Sequence, residues 1–340
     1  MLRFMDGFDH VALANVAQKW TNSVLTQVFL QNPGRFGGSY LHFHQGNSNV
    51  TKTLDNQATW IVGFGLRIGV GYTITGAFLQ ILDAGTVQVD FRINPDNTIA
   101  VSRNGTAVTG GANPAFTLMP GVWHFVEYKV TISSSIAANS WQVKVDGATV
   151  INVAAGQSSK NTANSTANQV RFGPMPQNND PDYDDIYICD SQGTTNNDFL
   201  GDVKVATMMP TAAGTFSQWT PLSGANYTNV NQTQPDDDAS YVYTSTPGQT
   251  DTYLVGDITD NPVNIFGVQT SLYVRKDDAG VRTVSKVIRS GGTNYLGGAV
   301  DNLAAGYIYY TEVDEKDPNT GVAWTKTGFN AAEFGATIIA

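Results

Sequence analysis

Two histidines, His42 and His44, stand two residues apart in the segment GSYLHFHQ, Gly38 to Gln45. In a strand, alternate side chains share a face, so Tyr40, His42 and His44 leave one side and Leu41 and Phe43 the other. Two imidazoles on one face are the start of a zinc or nickel site. Such a site needs a third and a fourth ligand, and the only other histidines are His10 and His124. The stretch Asn179-Asp180-Pro181-Asp182-Tyr183-Asp184-Asp185 offers several carboxylates within one loop, which is calcium chemistry, with Asp180, Asp182 and Asp184 as the candidate ligands. Its spacing matches no defined loop such as the EF-hand, and an Asp ahead of a strand also caps a turn without a metal. Pro235-Asp236-Asp237-Asp238 reads as a solvated loop. Beyond that calcium, no cofactor is expected.

Residues for bond-breaking are sparse. Glycoside hydrolysis needs two carboxylates, ~5–5.5 Å apart in retaining enzymes and further apart in inverting ones. Glu127 stands alone in WHFVEYKV, with Lys129 two residues on and facing the same way, and reads as a charged residue on a solvent face. Cys189 lies in an apolar strand, where a small buried residue is the default. No serine sits in a G-x-S-x-G elbow, and the glycine-rich GRFGG and IRSGG lie between strands, not ahead of a helix. No catalytic residue is expected, and nucleotide chemistry is excluded.

The elements that must position these residues are strands. Among 340 residues, 41% are hydrophobic and 14% charged, where an average domain has roughly a quarter charged. Of the 29 acidic residues only Glu127, Glu312, Glu315 and Glu333 are Glu, and the rest are Asp, a residue of turns and caps. With 34 Gly, this composition describes short strands and many turns. A net charge of −10 opposes binding to a nucleic-acid backbone. No apolar run approaches the ~20 residues that span a bilayer, the N-terminus lacks a signal-peptide core, and a single cysteine makes no internal disulfide.

Strands recur every eight to twelve residues through the first two-thirds. TWIVGFGLRIG (Thr59 to Gly69) reads as a central strand facing two layers, with turns at Asn94-Pro95-Asp96-Asn97, Asn104-Gly105 and Asp146-Gly147 further on. This is an antiparallel sandwich or barrel. Trp219 opens a second region with its own β pattern, in which SLYVRKDDAGVRTVSKVIR reads as a hairpin with Asp277-Asp278-Ala279-Gly280 at its tip. Asn330 reads as the cap of a single helical turn, AAEF, ended by Gly335. The division is residues 1–195, a connecting segment 196–218, and 219–340.

The strands FMDGFDH, GRFGGSYLHF, GVWHFVEYKVTI, WQVKVDGATVINV and YDDIYICD resemble those of a concanavalin A-like, laminin-G-type jelly roll. The resemblance implies a jelly-roll sandwich followed by a smaller β-sandwich, with the last strand of the first domain returning beside its first. Laminarinase-type enzymes of this fold carry Glu-x-Asp-x-x-Glu on one strand, and this chain has no such motif. Domains of this type sometimes carry calcium at a loop edge. The order DDIYICDSQGTTNNDFLGDVKV, W-T-P, PDDD, RKDDAG, RSGG and DP-x-T-G-x-AWT is similar to that of bacteriophage and prophage virion proteins.

That resemblance implies a non-enzymatic structural component of a virion, either capsid decoration or tail- or fibre-associated. It would be made in the bacterial cytoplasm and work through contacts with other virion proteins and with itself. The alternative is a carbohydrate-binding module for host-surface glycan, for which Trp60, Tyr72, Tyr227, Tyr241 and Tyr307 to Tyr310 supply rings for stacking. A glycan hydrolase is the third reading.

Overall fold

Asn104 and Gly105, at φ 43° and 81°, and Asp146 and Gly147, at 50° and 79°, occupy the left-handed region that a two-residue hairpin demands. Such turns fold the first part of the chain into antiparallel strands. The computed structural model describes residues 1–44, 46–71, 76–173 and 180–340. The chain is all-β and divides into two units: one holds residues 1, 3–8 and 13–205, and the other residues 2, 9–12 and 206–340.

The first unit contains β1 (Leu2–Asp6), β2 (Asn22–Val24), β3 (Val28–Gln31), β4 (Tyr40–Phe43), β5 (Asn49–Gln57), β6 (Thr59–Ile68), β7 (Gly76–Asp83) and β8 (Thr86–Ile93). It continues through β9 (Thr98–Arg103), β10 (Thr106–Thr117), β11 (His124–Thr131), β12 (Trp141–Val145), β13 (Ala148–Asn152), β14 (Ala167–Phe172) and β15 (Pro181–Asp190). One sheet runs β13-β12-β11-β6-β15-β4-β3, with β1 also paired to β15. The other runs β10-β9-β8-β7-β14-β5-β2. Neighbours far apart in sequence, such as β6 and β15, make this a jelly-roll sandwich.

The two sheets meet through large rings. Phe64 of β6 packs edge-on to Phe172 of β14 and Phe91 of β8, and the Tyr183 hydroxyl of β15 donates to the Phe78 carbonyl of β7 at 3.0 Å. Trp60 donates from its indole to the Ala167 carbonyl, and Trp141 to the Tyr128 hydroxyl, both at 3.0 Å, so their buried N–H groups are satisfied. Each fully buried aromatic contributes roughly 1.5–3 kcal/mol by leaving water. A helical turn, α1 (Val16–Lys19), closes one edge and brings Trp20 against Phe4 and Phe172.

The second unit is a smaller β-sandwich of β16 (Pro210–Ser217), β17 (Thr220–Pro221), β18 (Val242–Tyr243), β19 (Thr250–Val255), β20 (Val268–Val274), β21 (Val284–Ser290), β22 (Thr293–Val300), β23 (Ile308–Asp314) and β24 (Glu333–Ile338). Its main sheet runs β16-β19-β24-β21-β22, while β20 pairs with β23. Leu272 and Val274 of β20 and Tyr310 of β23 pack on Val284, Leu303, Ala336 and Ile338.

Two expectations for this unit are corrected. β20 and β21 form no hairpin, because β20 pairs with β23 in one sheet while β21 pairs with β22 and β24 in another. The helix lies earlier than expected: α2 (Lys326–Asn330) is capped by Thr325, whose hydroxyl accepts from the Gly328 N–H, and Glu333-Phe334 already belong to β24. Asn330 ends the helix instead of starting one. Its carboxamide oxygen accepts from the Ile258 N–H.

Candidate functional site

On the first unit's larger sheet, Asp182 of β15 stands opposite both His42 of β4 and Arg67 of β6, and Phe29 of β3 stands opposite His42. Since β4 and β15 alternate, Leu41, Phe43 and Tyr183 turn inward to the core while Tyr40, His42 and Asp182 turn outward. Arg67 is the one position of β6 that is not buried. The outer face therefore gathers residues from four neighbouring strands.

Part of that face is covered by the chain itself. Glu127 Oε1 accepts from the Tyr187 hydroxyl at 2.6 Å and from the Gly201 N–H at 2.8 Å, while the Leu200 N–H donates to the Tyr187 oxygen at 3.2 Å. Burial first, and then the Glu127 carboxylate, push the Tyr187 phenol well above its ordinary range, so it remains a donor. Gly63 lies beneath this ring, where any Cβ would collide with Tyr187. The expectation for Glu127 is thus corrected: it is 2% exposed under residues 198–201, and Lys129 pairs with Asp198 instead.

Beyond the covered part, the Arg67 guanidinium carbon lies 4.8 Å from the Tyr40 ring and 4.7 Å from the Trp123 ring. Its Nε donates to Asp182 Oδ2 at 2.7 Å, and the other oxygen of Asp182 lies 2.7 Å from His42 Nδ1. On its far side His42 Nε2 is 3.4 Å from Asp180 Oδ1, which is also 3.0 Å from His44 Nδ1. Burial opposes the charged imidazole of His42, but the hydrogen bond and charge of Asp182, helped by Asp180, outweigh it and raise its pKa above the ordinary value. Exposure increases along the chain of contacts, from 8% for the Asp182 side chain to 12% for His42 and 39% for His44.

The three candidate calcium ligands separate. Asp180 and Asp182 meet at His42, whereas the Asp184 carboxylate accepts from the Arg35 and Asp185 backbone N–H groups at 2.7 and 2.8 Å. Asn179 lies outside the described residues. His124 bonds Asp146 at the β12–β13 turn, and His10 Nδ1 lies 3.3 Å from the Thr207 hydroxyl. Asp180, rather than a further histidine, stands beside His42 and His44, brought there by the pairing of β4 with β15, which no signal in the sequence announces. Arg67, missed in the sequence, is a lone charge in an otherwise apolar glycine-spaced run.

The other candidates are taken up elsewhere. Asp238 bonds Arg275 and the Tyr307 hydroxyl, Asp237 accepts from Tyr273, and Ser240 donates to Asp236. Trp60 is core, Tyr309 is buried, and Tyr310 packs on the second unit's core. Tyr227 and Tyr241 are half-buried, as is Tyr307, which stacks on Tyr273 at 4.9 Å. Tyr72 lies outside the described residues. Cys189 is fully buried. No helix among the described residues is long and apolar enough to cross a membrane.

No known family profile matches the chain, and no curated protein matches it in sequence. Among solved structures, the alginate lyase Aly36B is similar over 54% of this chain and 95% of its own, at 10% identity and a TM-score of 0.41. The cellulose-induced protein Cip1 is similar over 51% of this chain and 92% of its own, at 14% identity and a TM-score of 0.39. A Trypanosoma rangeli sialidase matches over 49% of this chain but only 26% of its own, at 10% identity and a TM-score of 0.36. These likenesses are too distant to carry over an activity or a site residue.

Two expectations are set aside. The structural neighbours are an alginate lyase, a sialidase and Cip1, not virion proteins, so the reading as a non-enzymatic virion component acting through protein contacts is set aside. The expectation that the chain is not an enzyme is set aside with it, because it rested on the absence of a sequence motif. A missing sequence motif is weak ground for denying catalysis, because side chains far apart in sequence are brought together from separate strands, as Asp182 and His42 are here.

Proposed function

We propose that the first unit recognises carbohydrate on the outer face of its larger sheet. The observation that carries this reading is the Arg67 guanidinium held between Tyr40 and Trp123 and continued through Asp182 to His42, Asp180 and His44. A sugar presents hydroxyls that both donate and accept, over C–H faces that stack on rings. Binding it calls for polar groups fixed in orientation beside partly exposed aromatic surface. Here fixed nitrogen groups alternate with carboxylates, Trp123 is half-buried, and Phe29 is 42% exposed with its ring 6.1 Å from that of His42. Because these groups already hold one another in place, little side-chain entropy remains to be lost on binding.

The test is binding and turnover on one panel: alginate oligosaccharides, sialylated glycans and cello-oligosaccharides, against the native chain and Trp123→Ala. Saturable binding to a panel member, weakened at least tenfold by Trp123→Ala, is the expected result. Release of shortened products would extend the reading from recognition to cleavage. A flat response across the panel, with native and variant alike, overturns it.

A further inference from the structure

We propose that His42, His44 and Asp180 bind a divalent transition metal of the zinc type. One donor atom from each residue lies within 4.8 Å of the other two. Four ligands placed tetrahedrally ~2.0–2.1 Å from zinc stand about 3.3 Å from one another. The separations found, 3.4 Å from His42 Nε2 to Asp180 Oδ1 and 3.0 Å from His44 Nδ1 to the same oxygen, bracket that edge. The two rings lie 6.2 Å apart with planes 27° from parallel, and each has one nitrogen beside the Asp180 carboxylate.

A second observation is the support behind the ligands. Metal-bound histidines present one nitrogen to the ion and donate the other ring N–H to a carboxylate, which fixes tautomer and orientation. His42 has this arrangement: Nε2 faces Asp180 while Nδ1 lies 2.7 Å from Asp182. Asp182 is in turn held by Arg67, and Arg67 by the rings of Tyr40 and Trp123. Two imidazoles with one carboxylate favour zinc, cobalt or nickel over calcium, whose ligands are oxygens. Three protein ligands leave at least one position for water or a ligand oxygen. The inference shares residues with the carbohydrate reading but needs no glycan, so zinc binding is tested separately from it.

The experiment uses untagged full-length protein, stripped with chelator and titrated with zinc alone by calorimetry, with metal content after dialysis as a second readout. One equivalent is expected to bind, and calcium in tenfold excess is not expected to displace it. His44→Ala removes a half-exposed ligand and should weaken binding by at least tenfold. Asp182→Asn, which removes the carboxylate behind His42, should weaken it by about 10- to 100-fold. His44→Gln serves as the second variant if circular dichroism shows His44→Ala misfolded. Substoichiometric binding, or an isotherm that neither His44 variant changes, overturns the proposal.

Discussion

Lys19 Nζ lies 2.9 Å from Asp6 Oδ1, and neither side chain has any exposed surface. The other Asp6 oxygen accepts from the Trp20 indole N–H at 2.9 Å, and Oδ1 also accepts from the Phe8 N–H at 3.0 Å. One carboxylate thus joins β1, α1 and the Trp20 ring that seals this edge of the sandwich. Asp6→Ala leaves an ammonium buried without its partner and should cost about 3–5 kcal/mol in urea unfolding. The pair Asp6→Leu with Lys19→Met should recover much of that loss, though the Trp20 and Phe8 donors stay unmet. A double variant no more stable than Asp6→Ala would count against charge burial as the cause.

Lys52 shares this neighbourhood and donates to the Lys19 carbonyl at 2.8 Å over the Phe4 ring. Burial first, and then the Lys19 charge, push its pKa down from 10.5 to about 8. Between those values the unfolded chain holds a proton that the folded chain has lost, so stability should rise with pH across the window and level off outside it. The rise is of order 1–3 kcal/mol, since Lys52 keeps some solvent contact. Lys52→Met should flatten this part of the profile relative to the native chain. Equal slopes in urea midpoints from pH 8 to 10.5 would refute the assignment.

The Tyr187–Glu127 bond fastens residues 198–201 over the sheet. Tyr187→Phe removes one donor from a buried carboxylate and should cost about 1–3 kcal/mol, with faster amide exchange at Leu200 and Gly201. Gly63→Ala drives a methyl into the same ring and should cost about 1–3 kcal/mol or more through displacement of Tyr187. Unchanged exchange at Leu200 and Gly201 in both variants would show that other contacts hold the segment.

Arg67→Lys keeps the charge but loses the flat group between Tyr40 and Trp123. Thermal unfolding should register a loss of about 1–2 kcal/mol, from the stacking and the bond to Asp182. Glycan affinity should fall by about tenfold or more while zinc stoichiometry stays at one, because no zinc ligand is changed. Native affinity in this variant would remove Arg67 from the glycan site.

What the sequence determined by itself is local. Period-two alternation in YLHF already put Tyr40 and His42 on one face, and Asn-Gly and Asp-Gly pairs already specified two hairpins, because these depend only on backbone sterics and the pleat. What required the tertiary structure is every relationship across the sheet. Asp182 reaches His42 from 140 residues away because β15 lies between β4 and β6 in one register, and a slip of one residue would turn its carboxylate into the core. For the same reason β20 and β21, though neighbours in sequence, form no hairpin: β20 takes its backbone hydrogen bonds from β23 and β21 from β24, both further along the chain. Glu127 looked solvent-facing because alternation places it on the outer face, and the chain that covers that face arrives more than seventy residues later, at Gly201.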